Sequence, residues 1–146
     1  MQRDAEREAI KALSRDLGLP LEGCRLEFGD GSCVNVDGFH PGPPAVLAEV
    51  FAHQGPLKGA QRHKLMSDAL KLLATSKVLF ASTARVLVVL TDDRASAGVR
   101  AGWRGSALKA LGVEVRTVVL PAGVPERVRV AQERQRMVNA KREVDE

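Results

Sequence analysis

Apolar residues recur at Ile10, Leu13 and Leu17, a helical spacing that predicts an amphipathic helix over residues 4–17, closed by the Gly and Pro of LGLP. Carried back by four, the same stripe lands on Glu6, so a glutamate is expected in the first turn on the core-facing side. In CRLEF, Cys24, Leu26 and Phe28 alternate with Arg25 and Glu27. A GDG turn at residues 29–31 then leads into SCVNVD, and the two runs read as an antiparallel hairpin. FHPGPP holds three prolines, cannot continue a central strand, and is expected as a connecting loop. AVLAEVFA, residues 45–52, is almost continuously apolar, the signature of a strand covered on both faces.

A long helix is predicted from residue 57 to about residue 77, followed by a fourth strand in RVLVVL, residues 85–90. TDD and Ser96 are capping types, and residues 97–111 read as one helix ended by Gly112. VEVRTVVL supplies a fifth strand. The order of helix, three strands, helix, strand, helix, strand predicts an α/β domain built on one mixed sheet. Past Pro125 the chain becomes charge-dense, with Val124, Val128, Ala131 and Val138 only loosely periodic. The expected organisation is one domain over residues 1–124 and a charged C-terminal helix or tail over residues 125–146.

Two carboxylates disturb this pattern. Asp37 ends the second strand and Glu49 interrupts the third, where an unpaired charge is unfavourable. Side chains alternate along a strand, so Leu47, Glu49 and Phe51 share one face, and Asp37 lies beside Glu49 if the two strands are neighbours. Two acidic oxygen donors on adjoining strands make a hard site suited to Mg²⁺ or Mn²⁺. On the following helix, Gln61, Lys64, Asp68 and Lys71 fall within an arc of roughly 80°, with Lys58 about 60° outside it. Leu65, Met66, Ala69, Leu70, Leu72 and Leu73 fill the neighbouring side.

Composition narrows the chemistry. The 146 residues carry 22 Lys and Arg against 18 Asp and Glu, a net charge of +4, which favours a polyanionic partner. Aromatic residues make up only 3%, with one Trp and no Tyr, so stacking of successive bases on an aromatic platform is not expected. No window reaches the roughly 18 apolar residues of a membrane span, and the first ten residues carry acids instead of an apolar signal segment, which points to a cytoplasmic chain with no membrane partner. Cys24 and Cys33 are expected as reduced thiols, although a hairpin could bring them together. No GxSxG elbow, P-loop or dinucleotide fingerprint is present.

These residues and their order resemble the PD-(D/E)XK, or restriction-endonuclease-like, nuclease superfamily. Its α-β-β-β-α-β core matches the elements predicted up to Leu90, with an added helix and strand. Asp37 and Glu49 resemble the family's two acids, with Val36 standing where the family name puts proline. The resemblance implies Mg²⁺ or Mn²⁺ held by Asp37, Glu49 and the carbonyl of Val50, and hydrolysis of DNA phosphodiester bonds. It further implies Glu6 as the extra first-helix glutamate, Gln61 as a helix glutamine that holds the lysine or water, and a homodimer. Where the family carries its lysine this chain has Phe51, so Lys64 or Lys58 on the following helix becomes the expected ammonium. Arg62, His63 and His53 are the expected nucleic-acid contacts.

Simpler roles compete with each of these. Asp37 could cap the turn into GFHPG, Glu49 could form a buried ion pair with Lys64 or Lys58, and Glu6 could stabilise a helix dipole. The polar row on the long helix could be a solvated face. Trp103, with Arg100 and Arg104, could contact a phosphate or base or anchor its helix in the core. The alternative function is a catalytically inactive nucleic-acid-binding or assembly domain of the same fold.

Overall fold

A computed structural model describes residues 2–145. Among them, five strands form one open mixed sheet flanked by five helices. The order is α1 (Gln2–Leu17), β1 (Glu22–Glu27), β2 (Cys33–His40), β3 (Val46–Phe51), α2 (Gly59–Phe80), β4 (Arg85–Leu90), α3 (Asp93–Arg100), α4 (Gly102–Ala110), β5 (Val113–Thr117) and α5 (Val124–Asp145). Sheet order follows chain order, with β1–β2 and β2–β3 antiparallel and β3–β4 and β4–β5 parallel. The α/β class and the mixed sheet are those the sequence pattern predicts.

Two successive parallel crossovers advance in the same direction across the sheet. Their shared right-handed sense puts α2, α3 and α4 on one face, over Leu47, Phe51, Val86, Val88 and Leu90. The opposite face, carrying Val46, Ala48, Val50, Leu87 and Val89, is covered by α1 and the start of α5. Strand β3 is therefore buried along its whole length, which explains its unbroken apolar run.

Several elements depart from the sequence pattern. The residues of α1 that are buried are Ala5, Ala9, Ala12 and Leu13, while Ile10 and Leu17 only flank the core. Small alanines let this helix lie close to the sheet, so the core stripe is rotated from the expected one and Glu6 sits at its edge. Leu70, expected on the packed side of α2, is 67% exposed. Strand β2 runs on through Phe39 and His40, and the proline-rich loop begins only at Pro41.

The helix expected over residues 97–111 is two helices. Asp92 caps α3 by accepting from the N–H groups of Arg94 at 2.9 Å and Ala95 at 3.1 Å. The chain then breaks at Gly102, whose φ is +70°, a conformation that favours glycine. A Cβ on Gly105 would fall 2.1 Å from the Arg100 carbonyl oxygen, so this second glycine allows α4 to cross the end of α3. Trp103 does not anchor the helix, being 67% exposed.

Strand β5 stops at Thr117. The segment from residue 124 is helical, and its first turns belong to the core, since Val124 and Val128 pack with α1. Cys24 pairs in register with Val36 and Cys33 with Glu27, and both thiols are free.

Candidate functional site

The site begins with an irregularity in β2. Glu22 pairs with Phe39, but Cys24 pairs with Val36, so β2 carries one extra residue in the segment that contains Asp37 and Gly38. Such a bulge re-aims side chains and ends regular pairing. Gly38 leaves room there for α1, because a Cβ would meet Ile10 Cδ1 at 2.8 Å and that side chain would have to shift. The β2–β3 ladder stops at Gly38 opposite Ala48, and a side chain takes over. Asp37 Oδ2 accepts from the Val50 N–H at 2.9 Å. In a strand the N–H and C=O of one residue project toward the same neighbour, so the Val50 carbonyl also faces the β2 side, just past the last ladder pair. Asp37 lies inside β2 and is not a turn cap.

Glu49 lies on the β3 face covered by α2 and is 6% exposed. The Asp37 carboxyl lies beside it. Burial and this contact raise the Glu49 pKa from 4.5 to about 8, against the pull of Lys71. The Lys71 ammonium forms an ion pair with Glu49 Oε1, an oxygen with no hydrogen bond of regular geometry. The same ammonium donates to the Asn35 carbonyl on β2 at 2.9 Å. A Glu49 that holds its proton to about pH 8 beside Asp37, with Lys71 against it, is an arrangement a buried site can hold.

The lysine beside Glu49 is thus Lys71, where the sequence pointed to Lys64 or Lys58. Lys64 pairs with Asp68 at 3.1 Å, and its ammonium lies 5.3 Å from the centre of the Phe51 ring. Burial lowers the Lys64 pKa, but Asp68 and the charges of Glu49 and Asp37 outweigh it and the net shift is upward. Lys64 therefore stands at the margin of the acid pair. Lys58 is the N-cap of α2 and is exposed. Among the described residues it forms no ion pair with an acid.

Gln61 works locally. Its Oε1 accepts from the Lys58 N–H at 2.8 Å, and its Nε2 lies 3.1 Å from His53 Nδ1. It fixes the start of α2 and the His53 ring, and makes no hydrogen bond to Lys64 or Lys71. Burial depresses the His53 pKa, with Asp92 pulling the other way. Arg62 and His63 are exposed on α2.

Glu6 approaches from α1. Its pKa is raised first by burial and then by the charge of Asp37, while Lys64 and Arg3 oppose this. Glu6 senses Asp37 without completing a three-acid cluster, since no group of three or more His, Cys, Asp or Glu converges among the described residues. The donor set is accordingly two carboxylates and a strand carbonyl. That suits Mg²⁺, which keeps several of its waters and needs only one or two protein carboxylates. A groove of about 670 Å³ runs between α1 and the β1–β2 hairpin with Glu6 and Asp37 in its wall, and Arg3, Arg7, Lys11 and Arg25 line it as well.

Sequence reasoning missed the Gln54 clasp. The Gln54 N–H donates to Gln132 Oε1 at 2.9 Å, Gln132 Nε2 returns a bond to the Gln54 carbonyl at 3.1 Å, and Gln54 Nε2 donates to Thr91 Oγ1 at 3.0 Å. This ties α5 to the segments that leave β3 and β4. A buried glutamine after a strand was the only available signal, and its partner lies 78 residues away. No helix among the described residues is long and apolar enough to cross a membrane. No family model matches the chain, and neither a curated protein nor a solved structure matches it significantly.

Proposed function

We propose that this protein is a metal-dependent phosphodiester hydrolase acting on DNA, built like the restriction-endonuclease-like nucleases. The observation that carries the reading is the buried Asp37–Glu49 pair at the point where β2 and β3 separate, with the Lys71 ammonium against Glu49. The order α1, β1, β2, β3, α2, β4 agrees with the family core and supports the same reading. Asp37, Glu49 and the Val50 carbonyl are the groups that would hold Mg²⁺ or Mn²⁺, which when bound supplies a polarised phosphoryl oxygen and an acidified water.

The chain's own residues do the rest. Glu49 would give up its proton for a cation to bind. Lys71 keeps Glu49 oriented and favours its ionised form against burial and Asp37, and its positive charge favours the extra negative charge of a pentacovalent phosphorus. Lys64 adds a second ammonium at the margin, packed on Phe51. The groove lined by Arg3, Arg7, Lys11 and Arg25 offers cations to the phosphates of a strand that reaches Asp37.

A second reading, an inactive nucleic-acid-binding domain, draws support from Phe51, an apolar ring under Lys64 at the family's lysine position. One experiment separates the two. Labelled single-stranded, duplex and branched DNA are incubated with the protein in Mg²⁺ or Mn²⁺, alongside Glu49→Gln and Asp37→Asn. Cleavage by the parent alone, with salt-sensitive binding kept by all three, is the expected result. Equal nicking by parent and variants removes the assignment, and binding without cleavage leaves the inactive domain.

A further inference from the structure

A second cavity, of about 300 Å³, lies between α2 and the α3–α4 junction. Leu65, Met66 and Val99 form apolar wall, and Arg62, Trp103 and Arg104 bring the only charges and the only aromatic ring. Neither Asp37, Glu49 nor Lys71 lines it.

Three features of this cavity bear on what could fill it. First, two arginines line it and none of its lining residues is acidic, in a chain with 18 Asp and Glu. Second, Arg104 Nε is buried and makes no hydrogen bond, and a buried charged donor without an acceptor is unfavourable. Third, Trp103 is 67% exposed, with the Arg104 guanidinium carbon 4.8 Å from its ring centre. In addition, α4 starts from Ala101, which gives its first-turn N–H groups no side-chain acceptor, and such groups favour an anion.

We infer that this cavity is a binding subsite for a phosphate ester bearing a planar ring, the chemistry of a nucleotide unit. The phosphate lies between Arg62 and Arg104, whose planar forks match phosphate oxygens. The ring lies against the exposed Trp103 indole, since every base offers a π-face for stacking. The ligand is either one unit of a polynucleotide or a free mononucleotide, and both present the same groups.

Trp103 is the sole tryptophan, so its fluorescence reports this cavity alone. The full chain is titrated in EDTA with adenosine 5′-monophosphate, adenosine, inorganic phosphate and a short single-stranded oligonucleotide. Saturable quenching by the monophosphate or the oligonucleotide is expected, with adenosine and phosphate each weaker by about tenfold or more. Arg62→Gln, an exposed position, is expected to weaken that binding about fivefold or more without shifting the melting temperature. Quenching by the oligonucleotide alone assigns a strand contact, and equal response to the monophosphate assigns a free-nucleotide site. The proposal is overturned if neither quenches, if adenosine matches the monophosphate, or if Arg62→Gln binds like the parent. Without metal there is no turnover, so this result and the result of the cleavage experiment fail or succeed separately.

Discussion

The ammonium of Lys71 joins two strands, pairing with Glu49 on β3 and donating to the Asn35 carbonyl on β2 at 2.9 Å. Its side chain is 28% exposed against 72% for Lys64. That difference ranks the two lysines. Lys71→Met is expected to lower Mn²⁺-dependent cleavage by about 10²- to 10³-fold, the usual loss when one preorganised charge is removed. Lys64→Met, which leaves Asp68 and the Phe51 ring to solvent, is expected to lose less than about tenfold. Initial rates on the best DNA substrate measure both, and the reverse ranking would return the role to Lys64.

The raised pKa of Glu49 makes the stability of the fold sensitive to pH. Glu49 titrates near 4.5 when unfolded and at about 8 in the fold, so between those values the native state binds more protons than the unfolded one. Metal-free stability is therefore greatest below about pH 4.5, as far as this group decides it, and falls as pH rises through 8, by at most about 1.4 kcal/mol per pH unit. Urea unfolding at several pH values in that window tests this, and Glu49→Gln should flatten the slope. Stability that instead grew toward pH 8 in the parent alone would contradict a protonated Glu49.

Cation uptake should show the opposite dependence. Because Mn²⁺ competes with the proton held by Glu49, its affinity is expected to rise with pH up to about 8 and then level off. Calorimetry in buffers of different ionisation enthalpy measures the protons released. An affinity independent of pH would mean that the cation binds elsewhere.

Asp37 has two separable duties. Asparagine can still accept from the Val50 N–H, so Asp37→Asn should keep the melting temperature while losing Mn²⁺ binding. Asp37→Ala leaves the buried Val50 N–H without its acceptor and is expected to destabilise by about 1–3 kcal/mol. Thermal melts of the two variants side by side make the comparison.

The C-terminal helix divides at Gln132. Residues 133–144 are exposed, and a chain ending after Gln132 is expected to melt within a few degrees of the parent. Ending the chain after residue 124 removes Val128 from the core and Gln132 from Gln54, and should cost about 2–4 kcal/mol or prevent folding. Circular dichroism melts distinguish the two.

Hydrophobic spacing by itself determined the α/β class, the five strands and the suspicion attached to Asp37 and Glu49, because burial patterns and isolated charges are local properties of the chain. Only the tertiary structure decided which lysine meets Glu49. Lys58, Lys64 and Lys71 are near one side of the same helix, and the choice depends on how α2 crosses the sheet, which no local signal encodes. The rotated face of α1 was hidden for a related reason, since alanines weigh little in a hydrophobic pattern yet allow the closest packing. The bulge at Asp37 and Gly38, and the clasp between Gln54 and Gln132, arise from pairing between distant segments, where geometry is set by the partner and not by the residue alone.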